Sequence, residues 1–246
     1  MAPRRLLGLV AVLVPAAAHA SGVCENTGTT YGVPTLFAEA TEAFAVPATL
    51  AWCEERDRGG VLDEVRGTIA FTELRDVHGK VLGVLSAARG KDAKRLEAAV
   101  GAFDKVATGK LASTLKARGY ARIVPQGRTR AARCTVRAAW TSTRGTYHDG
   151  FPAGLLAVEV WAGKQRALRY EVGPAAEARR GDEKIVAHFL ARRGAIALFV
   201  RRPTCAGPPP GYFGPDDPGD CYAVDEVSTT LLDAKTGDLA RCFPSP

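Results

Sequence analysis

Leu155–Val172, LLAVEVWAGKQRALRYEV, is two alternating runs separated by a tight reversal. Leu156, Val158 and Val160 recur at every second residue of the first run, and Leu168, Tyr170 and Val172 do the same in the second. Successive side chains of a strand point to opposite faces, so this alternation predicts two half-buried strands. Ala162-Gly163-Lys164 supplies the turn, because glycine adopts positive φ without steric penalty. The stretch therefore sets the expectation of an antiparallel, β-rich fold.

Similar signals extend in both directions. Downstream, Lys184–Ala191 and Ala195–Arg201 read as strands about Arg192-Arg193-Gly194. Ala223–Leu232 turns at Asp233–Gly237 and returns through Leu239 to Phe243 as a last hairpin. Upstream, Cys134–Thr141, Tyr120–Val124 and Thr49–Cys53 are strand-like, and Thr68–Leu74 pairs with Lys80–Ser86 across Arg75–Gly79. Ser21–Ala43 reads as an irregular lead-in, and Pro203–Asp220 as a Pro/Gly-rich loop. One helix is expected from Asp92 to Arg118. Leu96, Val100, Phe103, Ala107, Leu111 and Leu115 share one face at spacings of three and four, with Thr108-Gly109 as a place to kink or split. The fold class expected is α+β, a mostly antiparallel sheet system of about ten strands with one long amphipathic helix packed on it.

The N-terminus reads as a secretory leader. Arg4 and Arg5 precede the unbroken apolar run Leu6–Val14, which is too short for a bilayer core of about 30 Å. Pro15 ends any helix there, and Ala18-His19-Ala20 offers small residues around a cleavage point. The expectation is a signal peptide over residues 1–20, a domain over 21–246, and a periplasmic or extracellular location after cleavage near Ala20. A sub-boundary falls near 120–133 if the remainder is two small domains. An uncleaved anchor and a lipidated Cys24 are the competing readings; Val23 before Cys24 is a poor lipidation context. No later segment approaches the apolar length of a membrane-spanning helix.

Cys24, Cys53, Cys134, Cys205, Cys221 and Cys242 all follow the leader, and an even number in an exported chain predicts disulfides. Six cysteines allow fifteen pairings. The most local is Cys205–Cys221, whose loop would stabilise by roughly 3 kcal/mol. No C-x-x-C or zinc-like Cys/His spacing occurs.

Catalytic signals are thin. Beyond the leader only His78, His148 and His188 remain. His78 sits in a turn, and His188 alternates with Val186 and Leu190 as a satisfied, half-buried strand residue. His148-Asp149, in a loop, is the weak candidate for acid–base work, which needs a positioned partner. No nucleophile elbow, HExxH or phosphate-cradling glycine loop is present, and no cofactor is expected. Asp216, Asp217 and Asp220 are a weak calcium candidate on oxygen supply alone.

Charge is distributed unevenly. The net formal charge is +7, of which Arg4 and Arg5 of the leader account for two. Between Asp104 and Asp149 there is no acid, yet ten basic residues occur, namely Lys105, Lys110, Lys116, Arg118, Arg122, Arg128, Arg130, Arg133, Arg137 and Arg144. The tail after Pro203 is acidic. Either the two segments face each other, or the basic one is a surface for an anion, with Arg122, Arg128, Arg130 and Arg133 as candidates. In an exported chain that anion is an acidic polysaccharide or lipid surface, not nucleic acid. The function expected is an exported binding or structural module for an anionic envelope polymer or surface. The alternatives are a secreted hydrolase using His148 with a carboxylate, and a purely structural envelope component.

Overall fold

A computed structural model describes residues 28–57, 62–123, 134–147, 151–176, 180–206, 222–233 and 239–243. Within them the fold is predominantly β, in three sheets. The first holds β1 (Gly28–Tyr31), β2 (Leu36–Ala38), β3 (Ala43–Asp57), β4 (Leu62–Asp76), β5 (Val81–Ser86), β6 (Asp104–Lys105) and β7 (Ala121–Arg122). Its order is β6-β5-β4-β3-β2-β7, with β1 also pairing β3. The lead-in expected to be irregular thus contributes two strands. Both are short and lack a run long enough to show period two.

β3 and β4 pair without interruption from Ala43↔Asp76 to Asp57↔Leu62. The β4–β5 hairpin forms as the sequence predicts. The Asp76 side chain accepts the N–H groups of His78 and Lys80, both at 2.9 Å, and Gly79 takes φ 85°. A carboxylate holding two turn amides and a glycine in the left-handed region is the chemistry such a reversal requires.

The long helix is two helices. α1 (Gly90–Val100) ends where Gly101 adopts φ 77°, the chain forms β6, and α2 (Leu111–Ala117) starts after Gly109, also at φ 77°. The break therefore comes first at Gly101, ahead of Thr108-Gly109. β6 pairs in parallel with β5 at the sheet edge, and the chain crosses from one face of the sheet to the other there. Leu96 of α1 packs with Ala48, Ile69, Phe71 and Val84 on one face. Leu115 of α2 packs with Ala45, Leu74 and Leu85 on the opposite face. α1 is held further by Arg95, whose guanidinium lies 3.7 Å from the Trp52 ring centroid and pairs with Glu54 at 2.8 Å.

The second sheet, in order β10-β9-β8, is formed by β8 (Cys134–Tyr147), β9 (Phe151–Ala162) and β10 (Gln165–Ala176). β9 and β10 are the hairpin expected from Leu155–Val172, turning with Gly163 at φ 61°. The third sheet has β12 (Ala195–Ala206) between β11 (Lys184–Leu190) and β13 (Tyr222–Leu232). The expected return strand Leu239–Phe243 is a 3-10 helix over Leu239–Cys242 instead. Leu239 and Cys242 are fully buried in the core there.

β12 explains the layering. Every residue of Ala195–Val200 is buried. Ile196, Leu198 and Val200 meet Leu156, Val158 and Val160 of the second sheet, while Ala195, Ala197 and Phe199 meet Phe37, Phe44 and Val46 of the first. The third sheet is therefore the middle layer, apolar on both faces.

Cys134, at the start of β8, bonds Cys242 across a Cα–Cα distance of 5.0 Å, and both are buried. Cys53 is disulfide-bonded as well. The Cys205–Cys221 pairing, and Cys24, lie outside the described residues. Among the described residues no helix is long and apolar enough to cross a membrane.

Candidate functional site

The face of the first sheet that carries Ala45, Leu74 and Leu85 is roofed by Leu115 and Tyr120. Further along β3 and β4 the roof stops. The pairs Pro47↔Thr72 and Thr49↔Ala70 there floor a cavity of about 560 Å³. Its far wall is Val106, Ala107, Gly109 and Leu111. Pro47, Ala70, Ala107 and Leu111 are all exposed, so this is apolar surface in contact with water. Tyr31 and Arg201 close the β1 end. Arg201 is committed, because its Nη1 donates to the Tyr31 carbonyl at 2.7 Å and its Nε lies 3.6 Å from Asp225.

A second recess of about 420 Å³ shares Ala87, Val106 and Ala107 with the first and adds Ala88, Arg89, Gly90 and Lys105. Arg89 and Lys105 are exposed, and neither side chain has a hydrogen bond or ion pair among the described residues. No carboxylate, imidazole or cysteine lines either recess. The Ser86 hydroxyl donates to the Ala70 carbonyl at 2.8 Å and accepts the Ala88 N–H, so it is a structural group. The two linings offer apolar surface and cations to a ligand.

The charge pattern resolves in part. Of the acidic tail, Asp225 lies against Arg201, and Glu226 accepts from Arg202 Nε at 2.8 Å. Both acids have a cation of the neighbouring strand β12 as a partner. Within that segment Arg118 pairs with Asp104 at 2.8 Å, whereas Lys110, Lys116 and Arg122 are exposed and have no ion pair among the described residues. Arg122 sits on β7, at the end of the first sheet. Arg128, Arg130, Arg133, His148, Asp149, Asp216, Asp217 and Asp220 lie outside the described residues. On the outer face of the second sheet Glu159 accepts from Arg166 at 2.8 Å and Arg169 at 3.0 Å. Burial raises its pKa, but the hydrogen bonds from Arg166, Trp161 and Arg169 outweigh it and hold the carboxyl below the ordinary range.

His188 departs from the expectation of a satisfied histidine. Its ring stacks on Phe37 at 4.5 Å between centroids, and its buried Nε2 has no hydrogen-bond partner, with Glu39 at 3.6 Å. Burial pushes its pKa below 6.5, and Glu39 only partly opposes this. Below pH 6.5 the unfolded chain then binds more protons than the folded one, so stability rises with pH through that window and is complete above it. Glu54 and Glu159 have depressed pKa values and lose their stabilisation only at lower pH. Urea midpoints measured between pH 7.5 and 5.5 should fall with pH, and His188→Gln should flatten the slope. Equal slopes in parent and variant would show that His188 does not govern this window.

Sequence reading missed the groove and the Arg89/Lys105 recess. Both arise where the chain between the two helices, on opposite sheet faces, runs through the short strand β6 and a turn at Thr108-Gly109 instead of continuing as one helix. The glycines at 101 and 109 were the available signal. Compared with known proteins, the chain matches no family model, no curated protein and no solved structure.

Proposed function

We propose that the protein is an exported binding module that holds an anionic polymer or membrane surface through basic residues of its 105–133 segment. One observation carries this reading. Lys110, Lys116 and Arg122 face solvent without a carboxylate among the described residues, while Asp225 and Glu226 of the acidic tail take Arg201 and Arg202. Cations left unmatched on one segment attract a polyanion through long-range fields that salt screens. The leader-like N-terminus and the Cys134–Cys242 bridge support export, since disulfides persist in oxidising compartments.

The test is retention of the oxidised protein, produced through an exporting host, on a sulfated polysaccharide and on vesicles rich in phosphatidylglycerol across a salt series. Each cation near an anionic bilayer contributes about 1 kcal/mol. Lys110→Ala/Lys116→Ala/Arg122→Ala should therefore weaken vesicle binding on the order of a hundredfold at low salt. Elution at low salt, with no difference between parent and variant, removes the reading.

A further inference from the structure

The apolar cavity and the basic recess are neighbours that share Ala87, Val106 and Ala107 in their linings. Each is incomplete alone. The first is exposed apolar surface on the scale of pockets that enclose one small molecule, and nothing in the described fold covers it. The second presents Arg89 and Lys105 without partners among the described residues. A bare anion would leave the apolar floor at Pro47 and Ala70 in water, and a neutral chain would leave both cations unmatched. We infer that the two together bind a single-chain anionic amphiphile, its chain on the Pro47–Thr72 and Thr49–Ala70 pairs and its head group at Arg89 and Lys105.

The inference rests on the reading of the protein as an anion-binding module and names a ligand class for it. The chemistry shared by the candidate ligands is one anionic head on one hydrocarbon chain. A carboxylate matches a guanidinium through two parallel hydrogen bonds, and a phosphate does so as well. Leu111, exposed at the first position of α2, lines the far wall of the apolar cavity and not the basic recess.

Titration calorimetry of the oxidised protein with octanoate, decanoate and dodecanoate below their micelle thresholds tests the groove. Affinity should rise about fourfold per methylene, the factor expected for a buried CH₂. Dodecyl phosphate in parallel separates a phosphate head from a carboxylate one. Dodecyl maltoside, which is uncharged, should bind at least tenfold more weakly than either, and inorganic phosphate alone should give no saturable signal. Leu111→Glu and, separately, Arg89→Glu/Lys105→Glu should each weaken dodecanoate at least tenfold. Both changes lie at exposed positions, and unaltered melting shows that the fold is intact. Chain-length-independent affinity, equal binding of the uncharged surfactant, or parent-like binding by both variants overturns the inference. So does a concentration-dependent dimer that dissociates as the groove is blocked by Leu111→Glu, which would make the occupant a second copy. Retention on sulfated polysaccharide without dodecanoate binding sinks this inference alone, whereas loss of both sinks the binding module itself.

Discussion

Cys134→Ala/Cys242→Ala is expected to lower folding stability by about 4 to 5 kcal/mol. The bridge closes a separation of 108 residues, and the entropy that a cross-link removes from the unfolded chain grows with the logarithm of loop length. The native state loses anchoring too. Cys242 belongs to the 3-10 helix Leu239–Cys242, and Leu239 and Cys242 both pack with Leu156, Val158, Ile196 and Leu198. Without the bridge that buried 3-10 helix loses its cross-link to the start of β8. Urea denaturation of oxidised parent and double variant measures the difference while other disulfides stay intact. A midpoint shift corresponding to under 1 kcal/mol would show that the unfolded chain is already restrained and that the loop argument fails.

Glu73→Ala is the second large effect, expected to destabilise by about 3 to 5 kcal/mol. Glu73 is only 5% exposed. It lies on β4 opposite Val46 and Val84, and its Oε1 accepts from Arg75 Nε at 2.6 Å. The Tyr31 hydroxyl approaches the other oxygen at 3.5 Å, and the Arg75 guanidinium stands 5.9 Å from the Tyr31 ring centroid. Burial, followed by the Glu73 charge, raises the Tyr31 pKa, so that hydroxyl remains a donor. Removing the carboxylate leaves a largely buried guanidinium without its counter-ion, and the penalty is chiefly the desolvation of that stranded charge. Glu73→Gln keeps shape and an acceptor and should lose less than Glu73→Ala. Glu73→Leu/Arg75→Met, which removes both charges, should recover most of the loss. A double variant as unstable as the sum of its singles would mean that the two side chains act independently.

The parts of the fold legible in the sequence are those whose signal is local. The β9–β10 hairpin is written in the alternation of Leu156, Val158, Val160 with Leu168, Tyr170, Val172, and the β4–β5 turn in Asp76 and Gly79. The candidate site was legible only as an excess of positive charge. Its groove depends on where α2 stops covering β3 and β4, and that is set by contacts between residues far apart in the chain. The helix misreading has the same origin. A spacing of three and four from Leu96 to Leu115 fits one helix or two, and only packing sends Leu96 to one face of the sheet and Leu115 to the other.

Local patterning specified the longer strands, from Thr68–Leu74 to Ala223–Leu232, and the reversals at Gly79 and Gly163, because these depend on steric and pairing preferences of neighbouring residues; it did not specify β1, β2 or β6. Tertiary structure alone decided that β12 is a middle strand, since Ala195–Val200 had to find apolar partners on both faces. It also decided that Cys134 meets Cys242, and that one strip of the first sheet stays exposed beside two cations that have no partner among the described residues. These follow from burying the largest apolar area that three sheets and two short helices can share, a condition on the whole chain that no single stretch of it expresses.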